Sequence, residues 1–322
     1  MGVGQTGEGG AKEAGQVYAR PMKKVSVVYN PIKVPNLEER VAVAAQLAGE
    51  FGYAAPDWIE TSVDDPGEAM GRQALESGAE LVIAMGGDGT VRYVAAALKN
   101  QGVPMAIVPQ GTGNLLARNL DIPLTDYEAQ LRIAYGNTER TLDVGTVEFD
   151  DRKPETFLVI AGAGLDADTM ANTSDNLKKL VGWVAYVEGG ARAMLARGFR
   201  VRVENDEPGP DGHEHHARSY MVCNCGILQA GVVLVPEAEP DDGHMDTLVL
   251  SPRGPRGWAA LVTDIVTRHR RGHRQMRHWI THEATASFNR EVEGQVDGDA
   301  IGPTRRMKTS MDTQSLLVRV PA

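Results

Sequence analysis

Cysteine is nearly missing from this chain: Cys223 and Cys225 are the only two in 322 residues. That count rules out a disulfide framework, and no neighbouring residues complete a metal cage around them. Lying two apart in an apolar run, both face one side of a strand and read as core filler. Long apolar runs are also missing. Nothing approaches the roughly 18 consecutive apolar residues that a membrane-spanning helix needs. No signal peptide is evident, so cytoplasmic residence is expected. Positive charge is in deficit, with 33 Lys and Arg against 43 Asp and Glu for a net charge of −10, which argues against a general nucleic-acid binder. Internal repeats are absent as well.

Glycine is plentiful, at 36 residues, and two clusters of it organise the chain. The first is Gly86-Gly87-Asp88-Gly89-Thr90, which follows the apolar run Ala79 to Ala84. The second, Gly111-Thr112-Gly113-Asn114, follows Pro104 to Val108. Each run reads as a short buried strand, and each cluster opens into a helical pattern. Bare backbone N–H groups and two helix N-termini can then converge on a polyphosphate. The glycines permit close backbone approach. Thr90 and Thr112 offer hydroxyls to phosphate oxygens, and Asp88 a carboxylate that could hold magnesium through water.

Upstream, Val25 to Tyr29 reads as a strand, and Asn36 caps a helix that Gly52 ends. Ala54 to Glu60 reads as a second strand. Asp65 and Pro66 begin another helix, and Gly78 stops it. Strand and helix alternating through such short connections imply an α/β domain whose parallel sheet carries helices on both faces. Ligands bind such sheets beyond the carboxyl ends of the strands, where Asn30, Thr61 and both glycine turns fall. After Asp143 helices thin out, apart from Asn176 to Ala196 and Pro255 to Arg271. Strands are expected at Thr156–Ile160, Phe199–Val203, Ser219–Asn224, Val232–Val235, Thr247–Leu250 and Glu283–Phe288, giving a mainly antiparallel second domain. The first 22 residues, rich in Gly, Ala and Glu without periodicity, read as a disordered leader.

The order of these short motifs resembles the diacylglycerol kinase catalytic-domain family, which includes bacterial lipid kinases and sphingosine kinases. Gly86 to Thr90 and Pro109 to Asn114 carry the likeness first. Asn30-Pro31, Asp143-Val144-Gly145, Gly164 to Ala167, Pro236, Asp242-Gly243 and Asp297-Gly298-Asp299 extend it over nearly the whole chain. The resemblance implies an N-terminal domain like those of NAD kinase and phosphofructokinase, over residues 23–143 and a returning segment, 304–322. Residues 144–303 would form a β-sandwich that receives a lipid, with the active site in the cleft between. The implied reaction moves the γ-phosphoryl of ATP, with magnesium, to a lipid hydroxyl at the inner membrane surface; a homodimer is the implied assembly.

The reaction needs a base for the hydroxyl proton. Asp297-Gly298-Asp299 reads alone as a hairpin turn, since Asp-Gly is a favoured turn dipeptide. In the family such a turn carries the acid–base group, which makes Asp297 the strongest candidate. Asp299 stands where the family usually has Glu, so which aspartate takes the proton stays open. The resemblance further assigns Asp242 as side-chain ligand of a structural magnesium ion, with Glu239 and His244 supplying nearby oxygens. Leu115 occupies a position where many relatives have an aspartate, leaving Asp88 and Asp143 to carry the rest of the magnesium network. Arg92 and Tyr93 also replace the more usual Asn-Glu.

A docking face is expected from Lys178, Lys179, Arg192, Arg197, Arg200 and Arg202, and from the basic run Arg268 to Arg274 with Arg277. Each basic residue near an anionic leaflet is worth about 1 kcal/mol. Two rival readings share the architecture: a kinase of a soluble acceptor such as NAD, and a catalytically idle nucleotide or lipid sensor.

Overall fold

A computed structural model of the chain describes residues 22–164, 198–205, 214–228, 231–267 and 275–322. Four parallel strands form the sheet of the first half: β1 (Val25–Tyr29), β2 (Asp57–Glu60), β3 (Leu81–Gly86) and β4 (Met105–Pro109). They lie in the order β4-β3-β1-β2. Alternate residues of these buried strands serve opposite faces. Val25, Val27, Leu81, Ile83 and Val108 pack with Leu47 of α1 (Leu37–Glu50) and Leu131 of α5 (Tyr127–Tyr135). On the other face, Val28, Val82, Ala84 and Ile107 pack with Ala74 of α2 (Glu68–Glu76) and Val94 of α3 (Asp88–Leu98). Between α3 and α5 lies the short α4 (Leu115–Asn119).

Gly52 and Gly78 take positive φ, 79° and 81°, where they end α1 and α2. Asn36 does not cap α1 with its side chain; it turns the chain by adopting a left-handed φ of 53°. Helix α2 begins at Glu68, and Asp65 caps it from outside by accepting from the N–H groups of Gly67, Glu68 and Ala69 at 2.9, 2.8 and 3.0 Å.

The second half is an antiparallel β-sandwich. Its strands are β5 (Glu139–Phe149), β6 (Glu155–Phe157), β7 (Ile160–Gly164), β8 (Phe199–Asn205), β9 (Glu214–Ala217), β10 (Ser219–Cys223), β11 (Met245–Leu250), β12 (Met276–Thr281), β13 (Glu283–Val296) and β14 (Asp299–Arg319). Helix α6 (Gly254–Thr267) connects β11 to β12. Phe149, Phe157, Phe199, Tyr220 and Phe288 fill the core of this half.

Several elements differ from the sequence expectation. Thr156–Ile160 is split between β6 and β7, because the N–H groups of Leu158 and Val159 turn aside to a carboxylate. Val232–Val235 is no strand and contributes an isolated bridge between Val233 and Ile227. Glu283–Phe288 continues past a register shift to Val296. Strand β5 runs straight through Asp143.

The most consequential element for the site is β14, 21 residues long. It pairs antiparallel with β13 and β5, and its Val318 pairs in parallel with Met105 of β4. One strand therefore joins the two halves into a continuous sheet. The expected helix at Asn176–Ala196, the Leu165-Asp166-Ala167 motif and the run Arg268 to Arg274 lie outside the described residues.

Candidate active site

Strands β3 and β4 are neighbours, with Gly86 opposite Pro109, so their turns emerge side by side at one rim. The Gln110 N–H donates to the Gly86 carbonyl at 2.7 Å. A Cβ on Gly111 would stand 2.8 Å from the Gly87 Cα, which is backbone against backbone. Only glycine allows that approach. Gly86 has no room either, because Thr90 packs against it. The Thr90 side chain is buried beneath the turn, whereas Thr112 is exposed on it. The N-terminus of α3 opens directly out of the first turn.

Lys33 also reaches this rim, though no motif or periodicity marks it. A Cβ on Gly87 would meet the Lys33 Nζ at 2.5 Å, so the ammonium lies over the first turn. The Asn30 turn puts it there. The Asn30 carbonyl accepts from Lys33 and Val34 N–H groups, and its Oδ1 accepts from Ile32 at 3.0 Å. Thr61, buried at the end of β2, bonds to Tyr29 through its backbone N–H.

Asp88 clamps the two turns together. Its Oδ2 accepts from the Asn114 N–H at 2.9 Å and its Oδ1 from the Leu115 N–H at 2.5 Å. Burial pushes its carboxyl up against these hydrogen bonds, and the charge of Asp299 adds to the rise. Asn114, at a left-handed φ of 48°, folds its amide back on Gly111 and bonds to both its N–H and its carbonyl. The Leu115 side chain enters the hydrophobic core.

The late acidic hairpin comes to this rim, with its two aspartates facing opposite ways. Asp297, 5 % exposed and at a left-handed φ of 47°, points inward. Its carboxylate accepts from the N–H groups of Leu158, Val159 and Ile160, each at 2.9 Å. Burial raises its carboxyl above the usual range, opposed by Arg92 and those three N–H groups. Asp299 points outward with a side chain 55 % exposed. Its Oδ2 lies 3.3 Å from where a Cβ on Gly89 would sit, which places it over the first glycine turn. Arg92 of α3 donates to that same oxygen at 3.0 Å.

Asp143 and the acidic turn form a separate constellation. Asp143 is buried, and its two oxygens accept from Gly243 at 2.7 Å and Gln314 at 2.6 Å. It thereby holds the acidic turn against the register shift in β14 between Asp312 and Leu316. Arg140 occupies the turn's other carboxylates, donating to Glu239 at 2.8 Å and to both oxygens of Asp241. Asp242 uses Oδ1 to accept from the His244 N–H at 2.9 Å. Burial raises the Asp242 carboxyl, and Asp246 adds to the rise. A cation at this turn would therefore meet Asp242, whose Oδ1 already accepts from His244, as the one of these three carboxylates not held by Arg140. Among the described residues, no three His, Cys, Asp or Glu side chains are grouped to hold a metal ion. At Asp88, a magnesium ion carried in on phosphates would meet the lone pairs left by the Asn114 and Leu115 N–H groups, with the like charge of Asp299 nearby.

Among the described residues of the expected docking face, Arg200 pairs with Glu214 at 3.1 Å and Arg202 with Glu204 at 3.5 Å. Cys223 and Cys225 are buried without a disulfide. No helix among the described residues is long and apolar enough to cross a membrane.

Two glycine turns meet at one rim with the Asp299 carboxylate over the first of them, an arrangement suited to phosphoryl transfer. Comparison with known proteins agrees. Residues 24–147 match the diacylglycerol kinase catalytic domain, and residues 159–317 match the YegS C-terminal NAD kinase beta sandwich-like domain. A Pseudomonas aeruginosa protein named "Probable lipid kinase YegS-like" is 34% identical over 232 residues, covering 70% of this chain and 72% of that protein. The "Diacylglycerol kinase" of Bacillus subtilis is 27% identical over 234 residues, covering 71% and 74%. A crystal structure of a diacylglycerol kinase from Bacillus anthracis shares the fold, with a TM-score of 0.68 at 18% identity, over 93% of this chain and 97% of that one. The chain belongs to the diacylglycerol kinase catalytic-domain family.

Proposed function

We infer that this protein transfers the γ-phosphoryl of ATP, with magnesium, to the hydroxyl of diacylglycerol or a related lipid, working from the cytoplasm at the inner membrane surface. The observation that carries this reading is the position of the Asp299 carboxylate over Gly89, facing the turns where Gly87 and Gly111 touch. A hydroxyl brought to that gap meets a base on one side and a phosphate cradle on the other.

Asp299, and not Asp297, suits the base. The Asp297 oxygens accept three backbone N–H groups in the interior, whereas the Asp299 side chain is more than half exposed and its Oδ2 stands over Gly89. As the lipid oxygen attacks the γ-phosphorus, its O–H bond breaks and Asp299 takes the proton. The bond from phosphorus to the β–γ bridging oxygen breaks, and ADP leaves. Lys33 and the backbone N–H groups at the start of α3 hold the phosphates and offset their charge. Asp88 would hold magnesium through water, and the ion would supply charge neutralisation between the phosphates. Most of the rate then comes from positioning.

The test offers ATP labelled at the γ-phosphate with diacylglycerol, sphingoid base, ceramide, phosphatidylglycerol and polyprenol in mixed micelles and, separately, with NAD in solution, and separates the products by chromatography. Label in a lipid product supports the reading and names the acceptor. Label passing only to NAD or to water ends it.

A further inference from the structure

Arg92 lies two residues past the first glycine cluster, about one turn along α3 from Asp88, and is 3 % exposed. A buried guanidinium is costly unless its donors are engaged. Its partners come from both arms of the acidic hairpin and from β6. Nη2 donates to Asp299 Oδ2 at 3.0 Å, and Nη1 donates to the Val296 carbonyl at 3.0 Å. Nη1 also lies 3.7 Å from Glu155 Oε2 on β6, a buried oxygen with no hydrogen-bond partner. The guanidinium carbon sits 5.0 Å from the centre of the Tyr93 ring. Nε is buried without a partner. The side chain is therefore fixed by its two terminal nitrogens, one on each arm of the acidic hairpin.

We propose that Arg92 is the positioning residue of the phosphoryl-transfer step: it fastens Asp299 over the phosphate turn and ties the base to the helix whose N-terminus receives the phosphates. Asp299 is more than half exposed, and a carboxylate so placed would sample several rotamers if left alone. The planar fork of arginine fits this task, since one guanidinium reaches the Val296 carbonyl and the Asp299 carboxylate together. A lysine ammonium is a single point and cannot reproduce both bonds. Because Arg92 and the phosphate-facing N–H groups share α3, the hairpin and the cradle keep one register. The positioning role rests on the assignment of Asp299 as base made above.

The test is a kinetic double-mutant cycle on the full chain, with Arg92→Met, Arg92→Lys, Asp299→Asn and both Arg92 changes in the Asp299→Asn background. Turnover is followed with the lipid acceptor and, separately, as ATP hydrolysis with water as acceptor. Melting curves and binding of a fluorescent ATP analogue accompany each variant. Arg92→Met is expected to lower kcat about 100-fold while changing the KM for ATP less than about threefold, the size expected when a base loses its position. Arg92→Lys should recover only part of that loss. In the Asp299→Asn background both Arg92 changes should have little further effect, since nothing is left to position. Equal fractional losses in both backgrounds would overturn the proposal, as would an unchanged kcat or a loss confined to KM. Where Arg92→Met does not fold, Arg92→Lys carries the same comparison. A wild-type protein that hydrolyses ATP but labels no lipid ends the lipid reading and leaves the cycle measurable. One that does neither overturns both.

Discussion

Gly87 and Gly111 touch through their backbones: a Cβ on Gly111 would fall 2.8 Å from the Gly87 Cα. The contact makes the two glycines unequal. A Cβ on Gly87 meets the flexible end of Lys33, at an extended backbone that any residue adopts. Gly111→Ala must separate the turns, and a misplacement of ångström size can cost about 100-fold in rate. Steady-state kinetics should show kcat/KM for ATP falling at least tenfold further in Gly111→Ala than in Gly87→Ala.

Lys33 offers the phosphates a charge without supporting the fold, since the side chain is exposed. Lys33→Met should raise the KM for ATP about tenfold, as loss of one charge-assisted contact does, and leave the melting temperature unchanged. A drop in melting temperature with an unaltered KM would show that the ammonium is structural.

The two hairpin aspartates should separate cleanly. Asp297→Asn sets an amide against three inward N–H groups and should cost about 2 kcal/mol of stability or more, measured by urea unfolding. Asp299→Asn keeps an oxygen for Arg92, so its stability loss should be the smaller. Its kcat should nevertheless fall between about 100- and 10,000-fold, the worth of a general base. An Asp297→Asn protein that is stable but inactive would move the base to Asp297.

Asp65 gives a pH prediction with a definite sign. Burial acts to raise its carboxyl, but three backbone N–H bonds and nearby Arg72 outweigh it and hold the group low. A lowered folded value stabilises the protein above the unfolded value near pH 3.9 and loses that effect as pH falls through the folded one. Asp65→Ala should cost about 1 kcal/mol at pH 7. The gap between its melting curve and that of the wild type should close below about pH 4.

The first half was legible because its signals are local. Five-residue apolar runs, the capping Asp65 and the positive-φ glycines 52 and 78 need no distant partner to be recognised. The second half was not. Strand β14 carries exposed Arg305, Arg306 and Lys308 and a Gly-Pro pair near its start. Its identity comes from the ladders to β13 and β5. In the site, the glycine clusters announced themselves by composition, and Asp88 and Asp299 by motif. The inward turn of Asp297 depends on a left-handed φ that an Asp-Gly pair permits but does not dictate. Lys33 is invisible to periodicity because a loop positions it. The two departures at Arg92 and Asp299 stood far apart in the chain, and only the fold shows that they touch at 3.0 Å.

Strand β14 follows every other strand in the chain, yet it pairs with the start of β4 at Met105 and with most of β5. During synthesis the four-stranded parallel layer must wait with the β4 flank open. An unpaired hydrophobic strand is a template for pairing with other chains. Refolding yield should therefore depend steeply on protein concentration. A peptide copying β14, supplied during refolding, should compete for the vacant flank and lower the recovery of active enzyme.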